Sequence, residues 1–290
     1  MAQIVAIDLD GTLLTSSHTI SRKNIEAIEY AQSLGIEVVI ATGRAHFDVL
    51  ALFKDTGIRT WIIGANGATI HKPDGTLFAS QPIEKHQAIE SLKWLEEEDY
   101  YYEVFSNDHI LTPLNRSEIL EIEIDRITSA NPDINPEPLY EAIAKQNSQT
   151  GFAFINSYLD IAESEADVFN ILAFSFSQEK LDAGWKKFHD SQDLTIVSSA
   201  DHNFELEHRA ASKGNALAKL ADELKLDLSE AIAFGDSHND LSMISEAGQG
   251  IAMANAVEAV QLASDKVTAS NDEHGVARIL FQLHGSDMTG

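Results

Sequence analysis

Two aspartates, Asp8 and Asp10, stand one residue apart at the end of the apolar run Ile4–Ile7, and Gly11 and Thr12 follow directly. A buried strand ordinarily excludes carboxylates, because an unpaired charge away from water is strongly unfavourable. Two of them at a strand's C-terminal end, where open α/β sheets bind ligands, point to a metal and a reaction. The period-two alternation of a strand predicts that both carboxylates face one cleft. Gly11 and Thr12 allow a tight turn that presents backbone N–H groups to an anion.

Three further segments carry residues of the same kind. Ile40-Ala41-Thr42-Gly43-Arg44 ends a second apolar run. Gly43 offers a backbone donor there. The Arg44 fork suits a bidentate contact with an anionic substrate, and packing at a helix N-terminus would explain it equally well. Thr42 could serve as a helix N-cap alone. In Ser212-Lys213-Gly214 the lysine opens a predicted helix, where the macrodipole disfavours a cation. Asp236 and Asp240, in Ala233-Phe234-Gly235-Asp236-Ser237-His238-Asn239-Asp240, lie one helical turn apart. Asn66-Gly67 is explained by turn chemistry as well as by a place at a substrate entrance.

Taken in order, the four segments resemble the haloacid dehalogenase superfamily of phosphohydrolases, and their wording is closest to its Cof-type sugar-phosphatase branch. The likeness covers nearly the whole chain. It implies an α/β fold: a Rossmann-like core with a parallel sheet at 1–81 and 205–290, and an inserted α+β cap of the C2 type at 82–204. That cap would close over the site and select the leaving group. The resemblance makes Asp8 a nucleophile that forms an aspartyl-phosphate. Asp10 would protonate the leaving alcohol and then take a proton from the attacking water. Lys213 would pair with Asp8 and the phosphate. Thr12, Thr42, Gly43, Arg44 and Asn239 would contact phosphate or substrate. Mg²⁺ would be held by Asp8, the backbone carbonyl of Asp10 and Asp236, with Asp240 orienting the metal's water shell or Lys213.

The implied activity is a Mg²⁺-dependent phosphatase acting on a small phosphorylated metabolite such as a sugar phosphate. The same segments would serve a phosphotransferase or phosphomutase, and a binding protein that had lost turnover would also keep the scaffold. The chain departs from the branch pattern at Ala254, often Gly, and at His274, often Asp. Glu207-His208 also replaces an acidic-then-aliphatic pair. These departures bear on loop geometry and substrate contacts rather than on the reaction.

Composition agrees with a globular enzyme of 290 residues, 44% of them hydrophobic. A formal net charge of −26 argues against nucleic acid and anionic membranes as partners. It also denies a phosphate ester any long-range attraction, so the site needs a bound cation and local donors. The same acidity favours a monomer or small homo-oligomer. Cysteine is absent, which excludes disulfides and thiolate chemistry. The first strand begins too early for a signal peptide, so a cytoplasmic enzyme is expected.

The βαβ rhythm positions these residues. Strands are predicted at Ile4–Ile7, Glu37–Ala41 and Trp61–Gly64, with a hairpin around Lys72-Pro73-Asp74-Gly75. After Pro82 the pattern changes to helices near 85–97, 117–128 and 178–189 with short strands between them. Residues 131–138 are expected to be a loop, and the acidic stretch between 155 and 170 to be poor in helix. The βαβ pattern is expected to resume at Phe204.

Overall fold

The structure is a computed structural model that describes residues 3–130, 134–146, 150–198 and 201–283. The chain divides into two compact units, Met1–Gln81 with Ala210–Gly290, and Pro82–Arg209. In the first stretch, β1 (Ile4–Ile7) is followed by α1 (Arg22–Ser33), β2 (Glu37–Ala41), α2 (His46–Phe53), β3 (Trp61–Gly64), β4 (Thr69–His71) and β5 (Leu77–Ser80). The inserted unit runs through α3 (Lys85–Glu97), β6 (Tyr101–Phe105), β7 (Ile110–Pro113), α4 (Arg116–Ala130), α5 (Glu137–Gln146), β8 (Phe152–Ile155), α6 (Tyr158–Glu163), β9 (Asn170–Phe174), α7 (Gln178–Phe188), β10 (Leu194–Val197) and β11 (Asn203–His208). The chain then returns with α8 (Lys213–Leu224), β12 (Ala231–Gly235), α9 (Leu241–Glu246), β13 (Gln249–Ala252), α10 (Glu258–Ala263), β14 (Lys266–Val267) and α11 (Gly275–Leu280).

The first unit is built on an eight-stranded sheet in the order β14-β13-β12-β1-β2-β3-β4-β5. Strands β14 to β3 are parallel, and β4 and β5 add an antiparallel hairpin at one edge. Strand β1 is apolar at every position and wholly buried, as expected for a strand covered on both faces. Helices on either side complete a core that includes Ile4, Ile7, Ile28, Val39, Leu217, Phe234 and Leu280. Their ends follow from sequence: Ser21 caps α1 by accepting from the Asn24 N–H, and Ser212 caps α8 by accepting from that of Asn215.

The order of the sheet explains where a site must form. From β1 the chain winds outward through β2 and β3 on one side, and after the insertion it winds through β12, β13 and β14 on the other. The loops after β1 and β12 therefore diverge at a topological switch point, where open sheets leave a crevice at the strands' C-terminal ends. Ile7 pairs with Phe234 in register, so Asp8 and Asp236 leave the sheet on neighbouring strands.

The inserted unit has a second sheet, ordered β10-β11-β9-β6-β7-β8, antiparallel except for the β7–β8 pair. One face packs Tyr102, Val104, Ile171, Ala173 and Phe204 against α3 and α7 residues such as Leu92 and Leu181.

The structure corrects the sequence reading in three places here. Asn203–His208 does not reopen the core. It pairs antiparallel with β9 and β10, so the second unit extends to Arg209 and Glu207-His208 belongs to the insertion. Part of the expected 131–138 loop lies outside the described residues, and its end is the start of α5. The stretch expected to be poor in helix contains α6, whose N-cap Ser157 accepts from the Leu159 N–H. Among the described residues, no helix is long and apolar enough to cross a membrane.

Candidate active site

The β1 strand ends at Ile7, and the chain then coils. Leu13 N–H donates to the Asp8 carbonyl at 3.2 Å and Leu14 N–H to that of Leu9 at 2.9 Å, a wide turn spanning five residues. Gly11 sits in this coil at φ +82°, and a Cβ there would lie 2.3 Å from Asp236 Oδ2. Glycine is thus required both by the backbone and by the approach of the neighbouring loop. The chain thus coils from Leu9 rather than continuing as a strand, and Asp8 and Asp10 take different protein partners, Lys213 and Arg44.

Asp8 is buried beside Lys213. The Lys213 ammonium donates to Asp8 Oδ1 at 2.7 Å and to Asp240 Oδ1 at 2.6 Å, and its side chain is fully buried. A cation at a helix start is explained here by two carboxylates that outweigh the dipole. Burial alone would lower the Lys213 pKa, but the charges of Asp240 and Asp8 hold it above the ordinary lysine value. The second oxygen of Asp240 accepts from the Asp236 and Ser237 N–H groups at 2.9 and 3.0 Å. Thr12 donates its hydroxyl to Asp236 Oδ1 at 3.1 Å. The resemblance implies a phosphate contact for that threonine; in the structure its hydroxyl faces a carboxylate.

Carboxylate oxygens of Asp8, Asp236 and Asp240 all lie within 4.8 Å of one another. Among the described residues, Lys213 is the one ammonium bonded into this group, so three carboxylates share one cation. Burial, then the charge of Asp240, push the Asp8 carboxyl well above the usual range against the pull of Lys213. The same two causes push Asp236 up to about 6. An all-oxygen donor set with surplus negative charge fits a hard divalent cation.

Asp10 is the more exposed of the pair, with 39% of its side chain open. Arg44 grips it with Nε to Oδ2 at 2.6 Å and Nη2 to Oδ1 at 2.8 Å. The bidentate contact expected for a substrate anion is thus made with a protein carboxylate. Arg44 Nη1 meets Asp48 Oδ2 at 2.5 Å, a partner that sequence reading missed. Its one signal was the spacing of four residues from Arg44. Thr42 is buried and its hydroxyl accepts from the Arg44 N–H at 3.1 Å.

The loops after β2, β3 and β12 meet at Asn66. Its Oδ1 accepts from Asn239 Nδ2 at 3.0 Å and lies against Gly43, while its N–H donates to the Thr42 carbonyl at 3.0 Å. Asn66 holds φ +52°, uncommon for a residue with a side chain and frequent where a site stores strain. The adjoining Gly67, at φ +105°, packs on the residue before Lys213: a Cβ would fall 2.2 Å from the Ser212 carbonyl oxygen. Asn66-Gly67 is therefore a junction between the segments and more than a turn. On the far side, Asn255 donates to the Gly11 carbonyl at 2.8 Å and accepts from the Asn271 N–H at 3.0 Å, so the segments holding Ala254 and His274 brace the Asp8–Leu14 coil. His274 adopts φ +60° at the start of α11.

A family model of haloacid dehalogenase-like hydrolases matches residues 5–280. The chain belongs to that family. It is a Cof-type member and a phosphoric monoester hydrolase. Among curated relatives it is similar to phosphatase YwpJ of Bacillus subtilis (strain 168), 52% identical over 97% of this chain and 99% of the relative. It is also similar to the 5-amino-6-(5-phospho-D-ribitylamino)uracil phosphatase YwtE of the same strain, 38% identical over 96% and 97%. A solved structure of a haloacid dehalogenase-like hydrolase from B. subtilis superposes with a TM-score of 0.85 at 52% identity, covering 97% and 99% of the two chains. These haloacid dehalogenase-like relatives match the chain nearly end to end, through the insertion as well as the core.

Proposed function

We propose that this hydrolase is a Mg²⁺-dependent phosphatase that cleaves a small phosphorylated metabolite, such as a sugar phosphate, through an aspartyl-phosphate on Asp8. The observation that carries the reading is the grip of one buried ammonium on Asp8 and Asp240, with Asp236 beside them. The carboxylates of Asp8 and Asp236, with the backbone carbonyl of Asp10, would hold Mg²⁺, and Asp240 would fix Lys213 and the Asp236 loop. When bound, the metal supplies charge neutralisation for the phosphate and the attacking carboxylate.

The protein's own residues then divide the work. An Asp8 oxygen attacks phosphorus, and the bond from phosphorus to the ester oxygen breaks. Asp10 gives a proton to the departing alcohol. Asp10 next accepts a proton from water as that water attacks the same phosphorus, and breaking the acyl-phosphate bond restores Asp8. Lys213 keeps its charge throughout and offsets the negative charge on the transferring group. Thr42, Gly43 and Asn239 supply donors to phosphate oxygens. The inserted unit, as the cap, chooses among leaving groups. Cytoplasmic metabolites are the expected pool, and the relative YwtE acts on a phosphorylated ribityl compound by its name.

The test pairs a screen of phosphorylated metabolites, read by phosphate release with Mg²⁺ and with chelator, with the Asp8→Asn variant. Asp8→Asn is expected to lose at least about 10⁴-fold in kcat while folding normally, as removal of a covalent nucleophile does elsewhere. Wild-type rates from Asp8→Asn, or full turnover in chelator, would refute the reading.

A further inference from the structure

Asp48 has no step in the chemistry above, yet ordinary helix chemistry does not account for its placement. A carboxylate in the first turn of a helix is favoured by the macrodipole, and it gains that benefit while reaching into water. Asp48, in the first turn of α2, is instead buried, with its side chain 3% exposed and its Oδ2 on Arg44 Nη1. Burying a carboxylate is costly unless a fixed partner compensates it. Here the partner is the outer edge of a guanidinium whose other edge holds both oxygens of Asp10. Burial alone would lower the Arg44 pKa; the two carboxylates more than offset this and keep it above the ordinary value.

Asp10 needs such a brace. Its carboxylate is part-exposed, stands next to Gly11 in the coil and has, besides Arg44, the His18 ring 4.0 Å from Oδ1. A part-exposed carboxylate free of its clamp would exchange among rotamers. Proton donation demands a fixed direction, since a donor must sit within hydrogen-bond reach of the leaving oxygen. A carboxyl oxygen has acceptor capacity for more than one donor, so a guanidinium contact does not by itself bar a proton.

We propose that Asp48 is a positioning residue for leaving-group protonation: it anchors Arg44 Nη1, and the guanidinium so held aims the Asp10 carboxyl. The inference rests on the reading of Asp10 as the acid that protonates the alcohol. A purely structural Asp48 would lower stability and activity without regard to substrate. A positioning Asp48 makes its loss depend on how badly the leaving group needs a proton.

The leaving group is therefore the probe. p-Nitrophenolate departs without a proton, whereas the alkoxide of an alkyl phosphate such as glycerol phosphate does not. The readout is kcat/KM, which runs only to the first irreversible step and so excludes the later attack by water. Asp48→Asn, nearly isosteric, and Asp48→Ala are both expected to lose roughly tenfold more on the alkyl phosphate than on p-nitrophenyl phosphate, the scale of a modest misplacement of a catalytic group. Arg44→Ala is expected to show the same split. The double variant Arg44→Ala/Asp48→Ala should widen it no further, because both changes remove one contact chain. Equal losses on the two substrates, or no loss on either, would overturn the inference.

Asp10→Asn separates this failure from that of the parent reading. If Asp10→Asn shows the split and the Asp48 variants do not, the positioning role alone falls. If Asp10→Asn loses equally on both substrates, the acid assignment falls and Asp48's role falls with it.

Discussion

Lys180 in the inserted unit and Lys213 in the core each bind a buried carboxylate, and their surroundings differ in charge balance. Lys180 donates to Glu123 Oε1 at 2.8 Å and to the Asp99 carbonyl at 2.7 Å. The remaining capacity of Glu123 is met by neutral donors, the Ser175 hydroxyl and the Phe176 N–H. One cation there faces one carboxylate. Lys213 faces two directly, and a third stands within the same cluster. The first arrangement is complete as it stands and ties α4, α7 and β9 together. The second is short of positive charge, which a structural ion pair has no reason to be. That deficit, rather than the mere presence of aspartates, is what the proposed cation would offset.

Removing each lysine is the sharpest way to break the comparison. Lys213→Met leaves Asp8 and Asp240 buried without a counter-charge, and it is expected to cost about 3–5 kcal/mol together with all activity. Lys180→Met leaves Glu123 with its neutral donors, and the expected cost is about 2 kcal/mol with turnover retained. Urea or thermal melts of both variants beside wild type give the answer. Equal costs would mean that the core cluster is no shorter of charge than the one in the insertion.

A cation supplied from outside should act on one cluster and not on the other. Mg²⁺ at 100 times its dissociation constant is expected to stabilise the wild type by about 2.7 kcal/mol. Asp236→Asn should lose that response, and Glu123→Gln should keep it. The readout is the melting temperature in Mg²⁺ against chelator, which needs no substrate. A response that survives Asp236→Asn would move the metal away from the site argued here.

Much of this difference was legible in the sequence. The strands that carry Asp8 and Asp236 are continuous apolar runs, and a charge at the end of such a run announces itself. Lys213 stood out because it opposes a helix dipole. The meeting of these segments was not local information, and the family resemblance supplied it. Asp48 was illegible because an aspartate four residues after an arginine looks like a solvated pair, and only the fold shows that it is buried. Glu205-Leu206-Glu207 read as part of the return to the core at Phe204. In the structure both glutamates are buried, and Asn170 Nδ2 donates to each at 2.7 and 3.1 Å. Pro136 and Pro138 suggested a loop, although proline is tolerated in the first turn of a helix, which is where Pro138 sits in α5.

The smallest expected effect is a dependence of stability on pH, and its sign follows from the same deficit. Burial and the charge of Asp240 push Asp236 up from 3.8 to about 6. The folded state then binds more protons than the unfolded state between those values, so stability from this group is present below about pH 4 and is lost as pH rises through about 6. Asp8, raised for the same reasons, contributes with the same sign. In chelator, wild type is therefore expected to fall in stability relative to Asp236→Asn as pH increases across this window. A bound divalent cation favours the ionised carboxylates, so added Mg²⁺ should flatten the difference. Urea midpoints measured at half-unit steps of pH test both statements. Parallel curves for the two proteins in chelator would show that Lys213 already balances the cluster, and the contrast with Lys180 would dissolve.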